Sequence, residues 1–426
     1  MNKKILCAVT AVSMALTMTA CSGKDGSSDE NNGNTLSIMG KKSDLAKSYM
    51  TSIFEQYEKS SGVKLKIISV EDADYEDEAA KRIKEGTLPD VFLHFNNSDL
   101  NRFDVEKNFC YLNDEKWVSE LTDSAKEYCL DSSGDLLGLP FWESSVSGCY
   151  YNKTILNDLG LDTATTQAEF DMLCQALADI GYTPICWPAD GCSWMLQFGL
   201  DPIFADDPST LEKINKNEIT YADIPEVKDM TKWIYDAAKN GWFGSDYKKT
   251  GWDDISPALS SGNAVMTFIW DTWFYTDFKP DKYTVDDFAL MPVFMDTADN
   301  GTYEGGNLNM MMVNKNSQKA DKAKEFLAFC ADADNYNIAF DGISTVSCFK
   351  NQTTNIQSQM VTDEKNSIDE YERVSTASTR IIGYSADETA KIFNKMFVGD
   401  ISVDECINLM DENRINAAHS QGIKGF

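Results

Sequence analysis

At 426 residues the chain is longer than one compact domain, and at about 150 residues per domain it predicts two or three. Hydrophobic residues at 42% and aromatics at 11% are enough for sizeable cores, which excludes wholesale disorder. Lys+Arg number 38 against 68 Asp+Glu, and the formal charge of -30 repels phosphate backbones and anionic headgroups, excluding nucleic-acid binding through a broad basic face.

Lys3 and Lys4 give a short positive start, followed by an uncharged apolar run from Ile5 to Ala20. That pattern predicts a secretory signal peptide over residues 1–20. The run is shorter than the roughly 20 residues a membrane-spanning helix needs. Thr17, Met18, Thr19 and Ala20 place small residues ahead of Cys21, which resembles a bacterial lipobox. Cys21 would then carry lipid, palmitate included, and become the mature N-terminus; the bland alternative is ordinary cleavage beside an incidental cysteine. Loss of Lys3 and Lys4 takes the charge from -30 to -32. From Ser22 to Asn34 no side chain is apolar, so residues 21–34 read as a flexible tether.

Nine further cysteines follow, at 110, 129, 149, 174, 186, 192, 330, 348 and 406. An odd number cannot all pair internally, although Cys186 and Cys192 are close enough in sequence to bridge. No C-x-x-C occurs, so neither a redox dithiol nor a zinc ribbon is indicated. The two histidines, His94 and His419, are too few for a histidine-rich metal site. No cofactor and no metal are predicted.

The body alternates strand and helix patterns. Leu36–Met39 reads as a strand, and Leu45–Ser60 as a helix with Leu45, Tyr49, Ile53 and Tyr57 on one face. Val63–Val70 is an alternating strand, Tyr75–Glu85 a helix, and Asp90–Phe95 a strand after Pro89. This order predicts an α/β layer with parallel strands and ligand sites at their carboxyl ends, where Lys41, Lys42, Glu71, Asp72 and His94–Asn97 fall. A loop at Gly138–Glu143 leads to a strand at Gly148–Lys153 and a helix at Ala168–Ile180 capped by Thr165 or Thr166. Pro184–Trp187 is strand-like, and helices follow at Trp194–Gly199, Ile224–Asn240 and Trp252–Ser261. A second α/β region has strands at Ala264–Trp270 and Phe288–Pro292, then Asn307–Val313 with a helix at Lys319–Ala331. Polar helices finish the chain, and there is no internal repeat.

Gly86, Pro89 and Asp90 match the "G-x-x-P-D" segment of extracellular solute-binding proteins that feed sugar importers of the ATP-binding cassette type. Further blocks agree in order: Gly138–Phe141 with Tyr150–Lys153, Phe170, Leu177–Gly181 and Thr183–Ile185. Gly262, Ala264 and Met266 with Trp270 or Trp273, Gly305–Val313 with Lys322–Leu327, and Phe397–Asn408 complete the set. From Leu36 onward the chain resembles family 1 of these proteins, the maltose-binding-protein-like group. The resemblance implies an α/β, two-lobed, periplasmic-binding-protein-like (type II) fold, with a hinge and a ligand cleft between the lobes. Lobe 1 would take residues 35–143 and 297–345, lobe 2 residues 144–296 and 346–426. It further implies a monomer, anchored by Cys21 to the outer face of the cell membrane, that delivers a small carbohydrate to permease subunits.

Sugars present a flat C–H face and a rim of hydroxyls, so their sites pair aromatic platforms with polar side chains. The expected ligand contacts are Trp142 and Glu143 at a crossing, Trp187 and Trp194 around a loop, and Trp270, Asp271 and Trp273 after a strand. In lobe 1 they are Lys42, His94, Asn96 and Asn97, with Asn307 on the return crossing. Core packing is the alternative for each tryptophan, and is the reading taken for Trp117, Trp233, Trp242 and Trp252. Asp90 reads as a structural acceptor. Where maltose-binding proteins carry an aromatic and an acidic contact, this sequence has His94 or Phe95 and Asn97, so a malto-oligosaccharide is not carried over. Rival readings are a peptide, polyamine or metal in the same clamp, an adhesin, and a secreted glycosidase using Glu143 with Asp271. G-x-S-x-G, H-E-x-x-H and Walker-type motifs do not occur.

Overall fold

The computed structural model describes residues 34–131, 133–190, 193–297, 301–305, 307–352, 358–364, 372–374 and 376–426. The expected leader, Cys21, most of the tether and Cys192 lie outside the described residues. In chain order the strands are β1 (Thr35–Lys41), β2 (Lys64–Val70), β3 (Val91–Phe95), β4 (Leu139–Pro140), β5 (Ser147–Asn152), β6 (Thr183–Ile185), β7 (Ala264–Trp270), β8 (Phe288–Met291), β9 (Thr302–Glu304), β10 (Asn309–Val313) and β11 (Glu372–Val374). They form two sheets, ordered β2-β1-β3-β10-β4 and β11-β9-β5-β7-β6, with β8 also paired to β5.

In the first sheet β1 runs parallel to β2 and β3, as strand–helix–strand alternation requires, and β10 inserts antiparallel with Met310 opposite His94. The helix Ser48–Ser61 buries Tyr49, Met50, Ile53, Phe54 and Tyr57, and Gly62 ends it in the left-handed region at φ 71°. It starts later than the periodicity predicts because Lys47, in extended backbone, separates it from the single turn Lys42–Leu45. The outermost strand, β2, is largely exposed and carries Lys64 and Lys66, charges that discourage further edge pairing. Gly138 is required where it approaches β10, since a Cβ there would lie 2.8 Å from Met310 Cβ. Asp90 is the structural acceptor expected: its carboxylate takes the Ser37 amide at 2.8 Å and the Ser317 hydroxyl at 2.5 Å.

The second sheet is built around β5, buried along its whole length between β7 and β8. Its helix Gln167–Asp179 is capped by Thr166, whose side chain accepts the Glu169 amide. Each sheet has its own hydrophobic cluster. The first holds Leu36–Phe141, Leu308–Phe340, Cys348 and Phe349, and the second Val146–Tyr303 and Met360–Met410. The molecule is therefore an α/β protein of two lobes. Thr302–Glu304 is a strand of the second sheet, so the chain returns to the first lobe between Glu304 and Leu308.

Two of the connections between lobes are close to one another. At the first crossing the Ser144 carbonyl accepts the Val346 amide at 2.7 Å and the Thr345 hydroxyl at 3.0 Å. Cys129, Cys149, Cys174, Cys330, Cys348 and Cys406 are buried thiols outside any disulfide, and Cys110 is a half-buried one. Of the tryptophans assigned to packing, Trp117, Trp233 and Trp242 are buried and Trp252 packs against the second cluster.

Candidate functional site in the cleft between the lobes

Two cavities open where the lobes face each other. The smaller, about 270 Å³, is lined by Tyr128 and Leu308 from the first lobe, Gly305, Val374 and Arg380 from the second, and Ser144 of the crossing. The larger, about 650 Å³, is lined by Asn96, Asn97 and Asp131 on one side and Leu211, Asn215 and Arg380 on the other. Arg380, at the end of the short helical turn Ala377–Arg380, belongs to both. Its Cζ lies 5.7 Å from the centre of the Tyr128 ring, a cation–aromatic contact spanning the lobes.

Tyr128, largely buried at the edge of the smaller cavity, is fixed by amides. Asn96 donates to the Tyr128 carbonyl at 2.6 Å and the Leu130 carbonyl at 2.8 Å, tying the end of β3 to the segment bearing the ring. The Tyr128 hydroxyl donates to Asn307 on the return crossing, and burial holds this phenol above the ordinary tyrosine range. Asn97 caps the next turn by accepting the Asp99 amide at 3.0 Å. Asn96, Asn97 and Asn307 are thus brought to the cleft or to its aromatic wall.

Trp142 and Glu143 stand together at the first crossing. Lys47 pairs with Glu143 and sits 5.5 Å above the Trp142 ring, which meets Tyr49 and Phe95 edge-on at 5.9 and 5.3 Å. Asp44 lies near Lys47 and accepts from Asn309 at 2.8 Å; burial raises its carboxyl to about 6.

Other expected contacts lie elsewhere. His94 is 2% exposed, packed among Tyr75, Phe92 and Phe103, because β3 is an interior strand buried on both faces from Val91 to His94. Its Nδ1 meets the Phe95 carbonyl at 2.7 Å. Trp187 stacks on Phe243 at 4.6 Å inside the second lobe, and Trp273 is 1% exposed against Phe274 and Phe278. Trp270 is half-buried beside Trp252 at 5.8 Å. Lys42 is exposed and paired with Glu71 at 2.7 Å. The Trp194 side chain lies outside what the structure describes. Asp271, also buried, accepts the Val146 amide at 2.8 Å, and burial raises its carboxyl to about 6. Glu143 and Asp271, the pair weighed for acid–base chemistry, are each committed to these separate structural partners.

The wall behind Arg380 contains a carboxyl pair that sequence reasoning missed. Asp201 accepts the Ser378 amide at 2.7 Å, and Gln197 donates to both oxygens of Glu304 at 3.2 and 3.3 Å. Burial raises Asp201 to about 7, and burial with the Asp201 charge raises Glu304 well above the carboxylate range. Tyr128 and Arg380 were also missed; no motif marks them, and only the scarcity of arginine, five in the chain, sets Arg380 apart. Among the described residues there is no cluster of three or more His, Cys, Asp or Glu able to hold a metal.

Comparison with known proteins agrees with this architecture. The model of the bacterial extracellular solute-binding protein family matches residues 42–337. No curated protein matches the sequence. A putative binding protein, MsmE, from Bacillus subtilis in an open conformation superposes with a TM-score of 0.75 at 14% identity, over 91% of this chain and 98% of that one. A sugar transporter from Bacillus licheniformis in complex with stachyose gives 0.68 at 15%, over 90% and 100%. The apo form of RafE from Streptococcus pneumoniae gives 0.67 at 15%, over 90% and 97%. With more than half its length matched by the family model and the two-lobed fold in common, the chain belongs to the bacterial extracellular solute-binding proteins.

Proposed function

We propose that this chain captures a carbohydrate, an oligosaccharide, in the cleft between its lobes and delivers it to the permease subunits of an ATP-binding cassette importer. The observation that carries this reading is the cleft itself, where an aromatic ring held by amides faces cavities rimmed with hydroxyl, amide and guanidinium groups from both lobes. The stachyose complex of the Bacillus licheniformis relative supports a sugar as ligand. Lobe 1 comprises residues 35–143 with about 307–349, and lobe 2 the rest of the folded body. Closure around ligand shifts an open–closed equilibrium only as far as the closed form binds better, and a permease reads the closed surface. Cys21 carries the lipid that holds the protein, a monomer, at the outer face of the membrane, and residues 22–34 let the body reach a permease.

Calorimetric titration of the full chain with neutral and acidic oligosaccharides tests the reading. Saturable binding to at least one glycan is expected. Binding to peptides, polyamines or metal ions with none to any glycan would overturn it.

A further inference from the structure

The chain has five arginines, at 82, 102, 373, 380 and 414, and the structure describes the side chains of all but Arg373. Three of these four hold a carboxylate: Arg82 on Glu78 at 2.8 Å, Arg102 on Asp77, and Arg414 on Asp411 at 3.2 Å. Arg380 forms no such pair among the described residues, and its Nε is buried without a hydrogen-bond acceptor. In a chain of charge -30 carboxylates are abundant, yet among the described residues none pairs with this guanidinium, and the nearby Asp201 is buried behind it and bonded to Ser378. A desolvated, unsatisfied donor is costly unless something arrives to complete it.

The setting is rigid. Asn215 holds the backbone that follows the Arg380 side chain, donating to the Arg380 carbonyl at 3.0 Å and accepting the Ile382 amide at 2.8 Å. Tyr128 lies against the guanidinium from the opposite lobe. Among the described residues lining the two cavities, Arg380 is the one basic side chain. The rim is otherwise acidic, with Glu127 in the smaller cavity and Glu106, Asp131 and Asp135 in the larger.

We infer that Arg380 is a specificity residue for an oligosaccharide bearing a single uronic acid, whose carboxylate docks on the guanidinium while neutral sugar units fill the rest of the cleft. Arginine presents a planar fork that matches a carboxylate in two parallel hydrogen bonds. One cation balances one negative charge. A phosphorylated or polyuronic ligand would instead set further charges against the acidic rim. The inference rests on the carbohydrate reading and narrows it to a ligand class.

The test uses the full chain and matched probes: glucuronosyl-xylotriose, cellobiouronic acid and galacturonosyl-rhamnose, each beside its own methyl ester, with the unsubstituted oligosaccharides as neutral controls. At least one acid is expected to bind about 10- to 100-fold more tightly than its ester, the range for hydrogen bonds to a charged group. That preference should weaken with added salt. Arg380→Gln is expected to bring acid and ester to equal affinity, and Arg380→Lys to restore part of the difference. Esters or neutral glycans that bind as tightly as every acid would overturn the inference and leave the carbohydrate reading standing. An acid preference that survives Arg380→Gln would also overturn it. Binding to no glycan of any kind would overturn both.

Discussion

Asp271 and Val146 clasp each other: the Asp271 carboxylate accepts the Val146 amide at 2.8 Å, and the Asp271 amide donates to the Val146 carbonyl at 3.1 Å. The first directly follows β7 and the second lies on the crossing that enters the second lobe, so this pair of hydrogen bonds ties the crossing to the end of the strand. Asp271→Ala leaves a buried amide unsatisfied and is expected to cost about 1–3 kcal/mol of stability in denaturant titration. Asp271→Asn, which keeps an acceptor, should lose less. Equal and negligible losses would remove the clasp from the account of stability.

Stability should fall as pH rises through neutrality. Asp201 moves from 3.8 to about 7 on burial, and Asp44 and Asp271 to about 6, so the folded state holds more protons than the unfolded state between these limits. Their contribution is complete below 3.8 and is lost as pH climbs through the folded values. Asp201→Asn is therefore expected to flatten the decline in melting temperature between roughly pH 5 and roughly pH 8. A profile of the same slope in the variant would show that this carboxyl is not what titrates.

Two tryptophans that read alike in sequence should respond differently. Trp273 is core, so Trp273→Ala is expected to cost about 3–5 kcal/mol of stability. Trp142 is half-buried at the crossing beneath Lys47, and Trp142→Ala is expected to weaken glycan binding by about 1–3 kcal/mol with a smaller stability change. Denaturation and calorimetry on both variants separate the two effects.

Gly383 sits at φ 77°, and a Cβ there would fall 2.1 Å from the Arg414 carbonyl oxygen. Gly383→Ala must displace the C-terminal helix Val403–Ser420 and is expected to lower stability by at least about 1–3 kcal/mol. An unchanged melting temperature would contradict the close approach.

Cys21→Ser is expected to move the protein from the membrane fraction to the soluble one and to abolish incorporation of labelled palmitate. Retention of label would place the acyl group elsewhere.

The architecture was legible in the sequence because the β1–β3 segment alternates strand and helix patterns with clear stops. Gly62 and Gly86 end helices there in the left-handed region. Site detail was less so. His94 and Trp273 have the chemistry of ligand contacts, but a strand buried on both faces and the compact turn after β7 direct them into cores. Tyr128 and Arg380 lie about 250 positions apart and meet only because both lobes close on the crossings. No local pattern records such a meeting.

The buried thiols carry a last consequence. Burial holds Cys149, Cys174 and Cys330 well above the ordinary thiol range, so few thiolates form to react, and close packing replaces covalent staples within these cores. Among the described residues, then, neither core depends on a covalent cross-link, and each lobe can reach the same native interior whether its surroundings are aerated or anoxic.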